Sequence, residues 1–321
     1  MAVKIGFIGC GGNANGHMNN ITNNVKNGVI VATCDLQEEL AQRASERYNA
    51  KAYTSHQKML DEEELDAVYI SIPVFAHGKP ELDVIEHGLP FFVEKPVAID
   101  METAKSVKEA VTKSGVITCV GYQLRYSGST ELAKEVLKDE TIGMAVAKYW
   151  SGTGIGDPNR WLRQMKKSGG QLLEQATHTI DMMRYLVGEI VEVYAIQANR
   201  HLPQIDCPDV NSVACRFENG AVGSLTAAWA FDPRDWSHAN VIDILYNQAF
   251  VHWDTGKISV TKKGETHEQT KPGRSIDQVF IDAVEKDDGS EILSPYSDAV
   301  KSMAVSLAAN KSAVEDAPQK L

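Results

Sequence analysis

The chain reads as an α/β protein. A doubly wound parallel sheet comes first, and a second α+β domain with an open, mostly antiparallel sheet follows. Three observations predict this. The opening run of Val3, Ile5, Phe7 and Ile8 has the pattern of a strand buried on both faces, and glycines follow it at once. The first third then alternates strand-like and helix-like segments, the grammar of βαβ units. After Gln123 that alternation gives way to longer strand candidates joined by hairpin turns such as Glu218-Asn219-Gly220.

The size fits two domains. The chain has 321 residues, more than one core usually serves, and the change of grammar divides it into 1–123 and 124–321. A composition of 43% hydrophobic and 23% charged residues excludes disordered and membrane classes. No apolar run approaches the roughly 20 residues that span a bilayer. The net charge of −11 argues against a nucleic-acid partner, because Lys166-Lys167 and Lys262-Lys263 are pairs and not patches. Five scattered cysteines with no Cys-x-x-Cys spacing fit a reducing cytoplasm and give neither a disulfide framework nor a metal site.

In chain order, the glycines form Gly9-x-Gly11-x-x-Ala14, with Gly12 and Asn13 between. The first glycine permits a tight turn, the second admits a pyrophosphate, and Ala14 lets a helix pack closely on the strand. A helix beginning near Asn13 aims unpaired N–H groups at phosphate. A second apolar run, 29–34, ends at Asp35, roughly twenty residues past the glycines, where this fold places a ribose-binding carboxylate. Asp35 equally fits a cap for the next helix. Its charge and the neighbouring Leu36-Gln37 favour NAD over NADP, since no Arg or Lys follows to neutralise a 2′-phosphate. Cys10, inside the loop, reads as a tolerated small residue.

The remaining elements follow. Segments 38–48, 76–87 and 98–114 read as helices, the last capped by Asp100. Strands are expected at 51–53, 67–72, 89–93 and 116–122. Beyond Gln123 come a helix at 129–137, a strand at 145–151, a loop at 157–170 and a helix at 171–187. Strands follow at 190–199, 210–217, 221–230, 241–245, 249–253 and 257–262, then helices at 276–286 and 297–314.

Two constellations carry chemistry. Glu94-Lys95-Pro96 lies at the C-terminal end of a parallel strand, the edge where open α/β sheets bind ligands. Lys95 can donate to a hydroxyl or carbonyl oxygen, or be a solvated loop lysine, and Pro96 is a candidate cis proline. In the helix 171–187, Glu174, His178 and Asp181 stand at i, i+4 and i+7 and share one face, while Leu173, Ala176, Ile180, Met183 and Val187 form the core stripe. A His beside a carboxylate suits a general base, and a solvated polar face is the plainer reading. Pro73 and His77 end another parallel strand where the nicotinamide half belongs. In 122–126 the aromatics fit an interdomain core, whereas Gln123 and Arg125 equally fit a cleft. Arg160, Trp161 and Arg163 fall in the loop expected to face substrate, or on a surface.

These residues resemble the glucose–fructose oxidoreductase/inositol dehydrogenase/rhizopine-catabolism family, Gfo/Idh/MocA, over essentially the whole length. The carriers are the glycine fingerprint, Ile72-Pro73 with His77, Glu94-Lys95-Pro96, the run from Gly121 to Tyr126, and Gly169-Gly170 followed by Glu174, His178 and Asp181. The resemblance implies a Rossmann domain, NAD(P)-dependent dehydrogenation of a sugar, cyclitol or related polyol, and a homodimer or homotetramer formed through the open sheet. It assigns Lys95 to the reacting oxygen and the nicotinamide ribose, His178 to acid/base work and Glu94 to the ribose. Glu174 stands where many members have Asp, and by the same resemblance it orients His178. A non-catalytic NAD sensor and a dehydrogenase of a non-carbohydrate substrate are the alternative readings.

Overall fold

The computed structural model describes residues 2–152, 157, 159–230 and 240–321. The chain divides into two compact units, one of residues 1–122 with 274–300, the other of 123–273 with 301–321. The chain passes from one unit to the other between Tyr122 and Gln123, one residue before the expected division, and a late segment of the expected second domain belongs to the first unit.

The first unit runs β1 (Val3–Ile8), α1 (Gly12–Asn24), β2 (Gly28–Cys34), α2 (Glu38–Tyr48), β3 (Lys51–Tyr53), α3 (His56–Glu62), β4 (Ala67–Ile70), α4 (Lys79–Glu86), β5 (Phe91–Val93), α5 (Met101–Ser114) and β6 (Thr118–Val120). The strands form one six-stranded sheet in the order β3-β2-β1-β4-β5-β6. All its pairings are parallel, so the chain reverses its strand order at β1/β4, the crevice where such sheets bind ligands. Phe7, Tyr69 and Phe92 lie in register on β1, β4 and β5 and stack with ring centroids 4.8 Å apart at each step. Such pairs add about 0.5–1.5 kcal/mol each beyond their burial.

The helix expected over 76–87 is interrupted. A 3₁₀ turn occupies Val74–Ala76, and Gly78, at φ +115°, separates it from α4. Glu81 accepts the Gly78 N–H at 2.6 Å, and Pro80 sits in the first turn, where its missing N–H costs nothing. Asp100 caps α5 as expected, accepting from Thr103 N at 2.8 Å.

The second unit contains α6 (Gly128–Leu137), β7 (Ile142–Trp150), α7 (Met165–Ser168), α8 (Gly170–Glu174), α9 (Thr177–Val187), β8 (Ile190–Ala198), β9 (Val210–Phe217), β10 (Val222–Ala228), β11 (Val241–Tyr246), β12 (Ala249–Asp254), β13 (Ile258–Lys262) and β14 (Glu265–Gln269). The chain continues through α10 (Ile276–Lys286), which falls in the first unit, then α11 (Tyr296–Glu315) and β15 (Gln319–Lys320). The nine-stranded sheet is ordered β14-β13-β12-β11-β7-β10-β9-β8-β15 and is antiparallel except where β10 pairs with β7. Its strands alternate. Ala145, Ala147, Leu225, Ile242, Ile244, Val251 and Trp253 face a core shared with α6, α9 and the Val305–Ala309 stretch of α11. The opposite face exposes Val222, Met144, Leu245 and Phe250, which register directly with one another across β10, β7, β11 and β12.

Candidate active site

The cofactor half of the site belongs to the first unit. Gly9, at φ +94°, follows β1 and donates its N–H to Cys34 O at 2.7 Å. A Cβ at Gly9 would meet Ser71 O at 2.1 Å, so glycine is required there on two counts. At Gly11 and Gly12 a Cβ would meet nothing within 4 Å, which leaves exposed backbone that a phosphate can approach. Helix α1 starts there with no side-chain cap and no acidic residue in its first turn, so its leading N–H groups are open to an anion. Asn13 is exposed in this first turn, and Ala14 is wholly buried against the sheet.

Asp35, at the end of β2, accepts Cys10 N at 2.9 Å with one oxygen and Gln37 N at 2.9 Å with the other. It ties the glycine loop to the next turn, and its remaining lone pairs suit a ribose hydroxyl. The N-cap of α2 is Gln37, so Asp35 does not cap that helix. Burial, helped by the Asp35 and Cys34 charges, pushes the Cys10 thiol up to about 12, which keeps it protonated and unreactive. These features fit a dinucleotide with a free 2′-hydroxyl.

Pro73 opens the 3₁₀ turn after β4, and His77 closes it. The His77 side chain is almost completely buried, with Nδ1 against Glu81, so it does not present an open face to a cofactor. Glu94 and Lys95 follow β5, both half-buried, and the Lys95–Pro96 peptide is cis. Glu94 Oε2 accepts Lys95 N at 3.2 Å, and Oε1 meets His17 Nε2 at 2.9 Å. Burial alone would raise the Glu94 carboxyl, but the His17 hydrogen bond and charge hold it below its ordinary value.

The second unit carries the other candidate residues. Gly169 and Gly170, at φ +70° and +73°, turn the chain into α8. A Cβ at Gly169 would come within 2.3 Å of the Leu173 side chain. The single helix expected over 171–187 is broken after Glu174. Gln175 N and Ala176 N both donate to Gln171 O, at 3.0 and 2.9 Å, so one extra residue is wound into the turn. The Gln175 carbonyl oxygen Oε1 accepts from Trp229 Nε1 at 2.5 Å and Ser151 Oγ at 3.0 Å, which anchors the bulge. Such insertions recur at functional sites.

Beyond the bulge, His178 N donates to Gln175 O at 3.1 Å, a tight turn that starts α9. Glu174, the last residue of α8, and His178, in the first turn of α9, are both half-buried. Asp181 is 1% exposed and takes a two-pronged contact from Arg125, Nε at 2.8 Å and NH2 at 2.6 Å, plus Ser302 Oγ at 2.6 Å. Arg125 and Asp181, expected at the substrate, thus brace each other in the interior. Arg163 is also buried, and burial with the nearby Arg160 charge lowers its guanidinium from the ordinary value. Arg160 is exposed, Trp161 half-buried, and Gln123 opens a 3₁₀ turn.

Sequence reasoning missed Tyr149, Gln175, His17 and Asp277. Tyr149, at the end of β7, is 7% exposed, and burial together with the Glu174 charge holds its phenol well above the ordinary value. Among the described residues no group of His, Cys, Asp or Glu is placed to hold a metal ion, and no helix is long and apolar enough to cross a membrane.

A family profile described as "Oxidoreductase family, NAD-binding Rossmann fold" (GFO_IDH_MocA) matches residues 3–122, and "GFO/IDH/MocA C-terminal domain" matches 130–259. The scyllo-inositol 2-dehydrogenase (NAD(+)) of Bacillus subtilis is 27% identical over 231 residues, covering 70% of this chain and 67% of that protein. Myo-inositol 2-dehydrogenase of Thermotoga maritima is 26% identical over 242 residues, covering 72% and 71%. The WlbA dehydrogenase of Bordetella pertussis, solved with NADH and UDP-GlcNAcA, superposes with a TM-score of 0.86 at 22% identity over 100% of this chain and 99% of that one. With both halves of the chain matched in order, this protein belongs to the Gfo/Idh/MocA family of NAD-binding oxidoreductases.

Proposed function

We propose that the protein oxidises a ring hydroxyl of a cyclitol or sugar, or reduces the corresponding ketone, with NAD. The observation that carries this reading is the bulge at Gln175. Glu174 and His178 stay half-buried on either side of it, while Arg125 holds Asp181 in the interior, which leaves one carboxylate and one imidazole for proton transfer. The inositol dehydrogenases among the relatives supply the substrate class.

Bound NAD supplies the hydride acceptor. Gly11, Gly12, Asn13 and the start of α1 hold the pyrophosphate, Asp35 the adenosine ribose, and Pro73 and Gln123 lie along the cofactor. Lys95 donates to the substrate oxygen and stabilises the negative charge that develops there. His178 takes the hydroxyl proton, and Glu174 orients the imidazole and stabilises its charged form. Arg160 and Trp161 border the substrate. The test is NADH absorbance against a panel of cyclitols, sugars and sugar acids, with NAD and NADP in parallel. Turnover of a cyclitol or sugar with NAD supports the reading. Tight NADH binding with silence across the panel favours a sensor or a non-carbohydrate substrate.

The row Val222–Met144–Leu245–Phe250 supports a homo-oligomer built through the open face of the nine-stranded sheet, because a contiguous apolar row on paired strands gains by being covered. Leu245→Lys is expected to shift light scattering toward the monomer mass. An unchanged mass would place the contact elsewhere. The scattered cysteines support a cytoplasmic setting.

A further inference from the structure

His17 lies on α1, three residues beyond Ala14, and its side chain is 15% exposed. Nε2 meets Glu94 Oε1 at 2.9 Å, and Nδ1 meets Asp277 Oδ1 at 2.6 Å. A carboxylate only accepts hydrogen bonds, so both ring nitrogens must donate, and the ring is an imidazolium. The ring packs against Phe92 at 4.7 Å and Tyr69 at 5.6 Å between centroids, and Phe280 of α10 closes edge-on over both of those rings. Asn20 Nδ2 fixes the second Asp277 oxygen at 2.7 Å.

Glu94 is confined in turn. Its Oε2 accepts the Lys95 N–H, and a Cβ at Gly121 would lie 2.8 Å from that oxygen, so a larger residue there would displace the carboxylate from this position. The helix that presents its N-terminus to the pyrophosphate therefore also carries the cation that pins the residue next to Lys95.

We propose that His17, held by Asp277, is a positioning residue for the nicotinamide half of the cofactor, fixing the Glu94 carboxylate and through it the main chain of Lys95. This deepens the proposed function and rests on its assignment of Lys95. Charged and titratable groups face the ring from every side that packs on it: Glu94 with the adjacent Lys95 from the end of β5, Asp277 from α10 and the Tyr69 phenol from β4. Burial opposes the charge on His17, yet the hydrogen bonds to Asp277 and Glu94 outweigh it and push the ring up to about 10.

The test compares NADH with ADP, which lacks the nicotinamide riboside, as ligands of the full chain. His17→Gln is expected to weaken NADH by about tenfold or more, the effect of one charged hydrogen bond, and to leave ADP affinity unchanged. Equal losses for both ligands, or no loss, would overturn the proposal. Histidine ¹⁵N spectra of the wild type need no variant. Both His17 nitrogens are expected to stay protonated at pH 8, and a neutral ring there overturns the proposal. In Asp277→Asn the His17 midpoint is expected to fall into the accessible range, with NADH affinity declining as pH rises through it while the wild type stays flat. Full turnover in Lys95→Ala would instead overturn the assignment on which the proposal rests.

Discussion

The glycine loop after β1 and the bulge after α8 both place functional groups at the end of an element, by opposite means. The loop works with backbone. Gly9 turns, Gly11 and Gly12 leave space, and the uncapped start of α1 offers its N–H groups to an anion. The bulge works with side chains. Gln175 is held by Trp229 and Ser151, and the insertion breaks the helix between Glu174 and His178. Backbone chemistry needs particular residues at fixed spacing. Side-chain chemistry needs a local helix phase that distant residues impose.

The largest expected effect sharpens this contrast at the reacting oxygen. With the role proposed for Lys95, Lys95→Ala removes the donor to the developing charge, so kcat should fall by about 10²–10³. NADH affinity should change by less than about tenfold, because the glycine loop and Asp35 are untouched. Stopped-flow turnover and NADH fluorescence separate the two, and parallel losses would mean that Lys95 chiefly binds cofactor.

The next effect is on stability. Arg125→Met leaves Asp181 buried without its two-pronged partner, a loss of about 3–5 kcal/mol when a buried pair is broken from one side. Ser302 at 2.6 Å and Arg184 at 3.9 Å still face Asp181, which favours the lower end of that range. Thermal unfolding should show the loss while NADH affinity holds. A selective rise in KM with unchanged stability would return Arg125 and Asp181 to the substrate.

The same contrast explains what could be read in advance. The parallel sheet was legible because its strands are apolar runs separated by helices of amphipathic period. The glycine fingerprint was legible because each glycine has a steric reason. The bulge was not, since Glu174, His178 and Asp181 fit an uninterrupted helix perfectly well, and the residues that break it, Trp229 and Ser151, are far away in sequence. Strand β14 escaped notice because Glu265–Gln269 is exposed throughout and carries no apolar alternation. His17 was overlooked for a similar reason. Its partners lie 77 and 260 residues away, and nothing in its own segment announces them. The segment 274–300 likewise shows ordinary helical patterning and no mark of the unit it joins.

The smallest expected effect tests the backbone side of the comparison at Asp35. Its two oxygens already accept Cys10 N and Gln37 N, so the residue has a structural duty beside the ribose-binding one proposed for it. Asp35→Asn keeps the size and one good acceptor but removes the negative charge. Asparagine offers one acceptor where the two backbone N–H groups use two, so one of Cys10 N and Gln37 N loses its partner and stability should fall by about 1 kcal/mol. NADH should lose a charge-assisted hydrogen bond from its ribose, while NADPH loses a repulsive neighbour of its 2′-phosphate. The two shifts act in the same direction on the ratio of affinities, so the preference for NADH over NADPH should drop by about tenfold. If both cofactors weaken equally, Asp35 acts only by holding the glycine loop, and cofactor choice must be set by other residues near the end of β2.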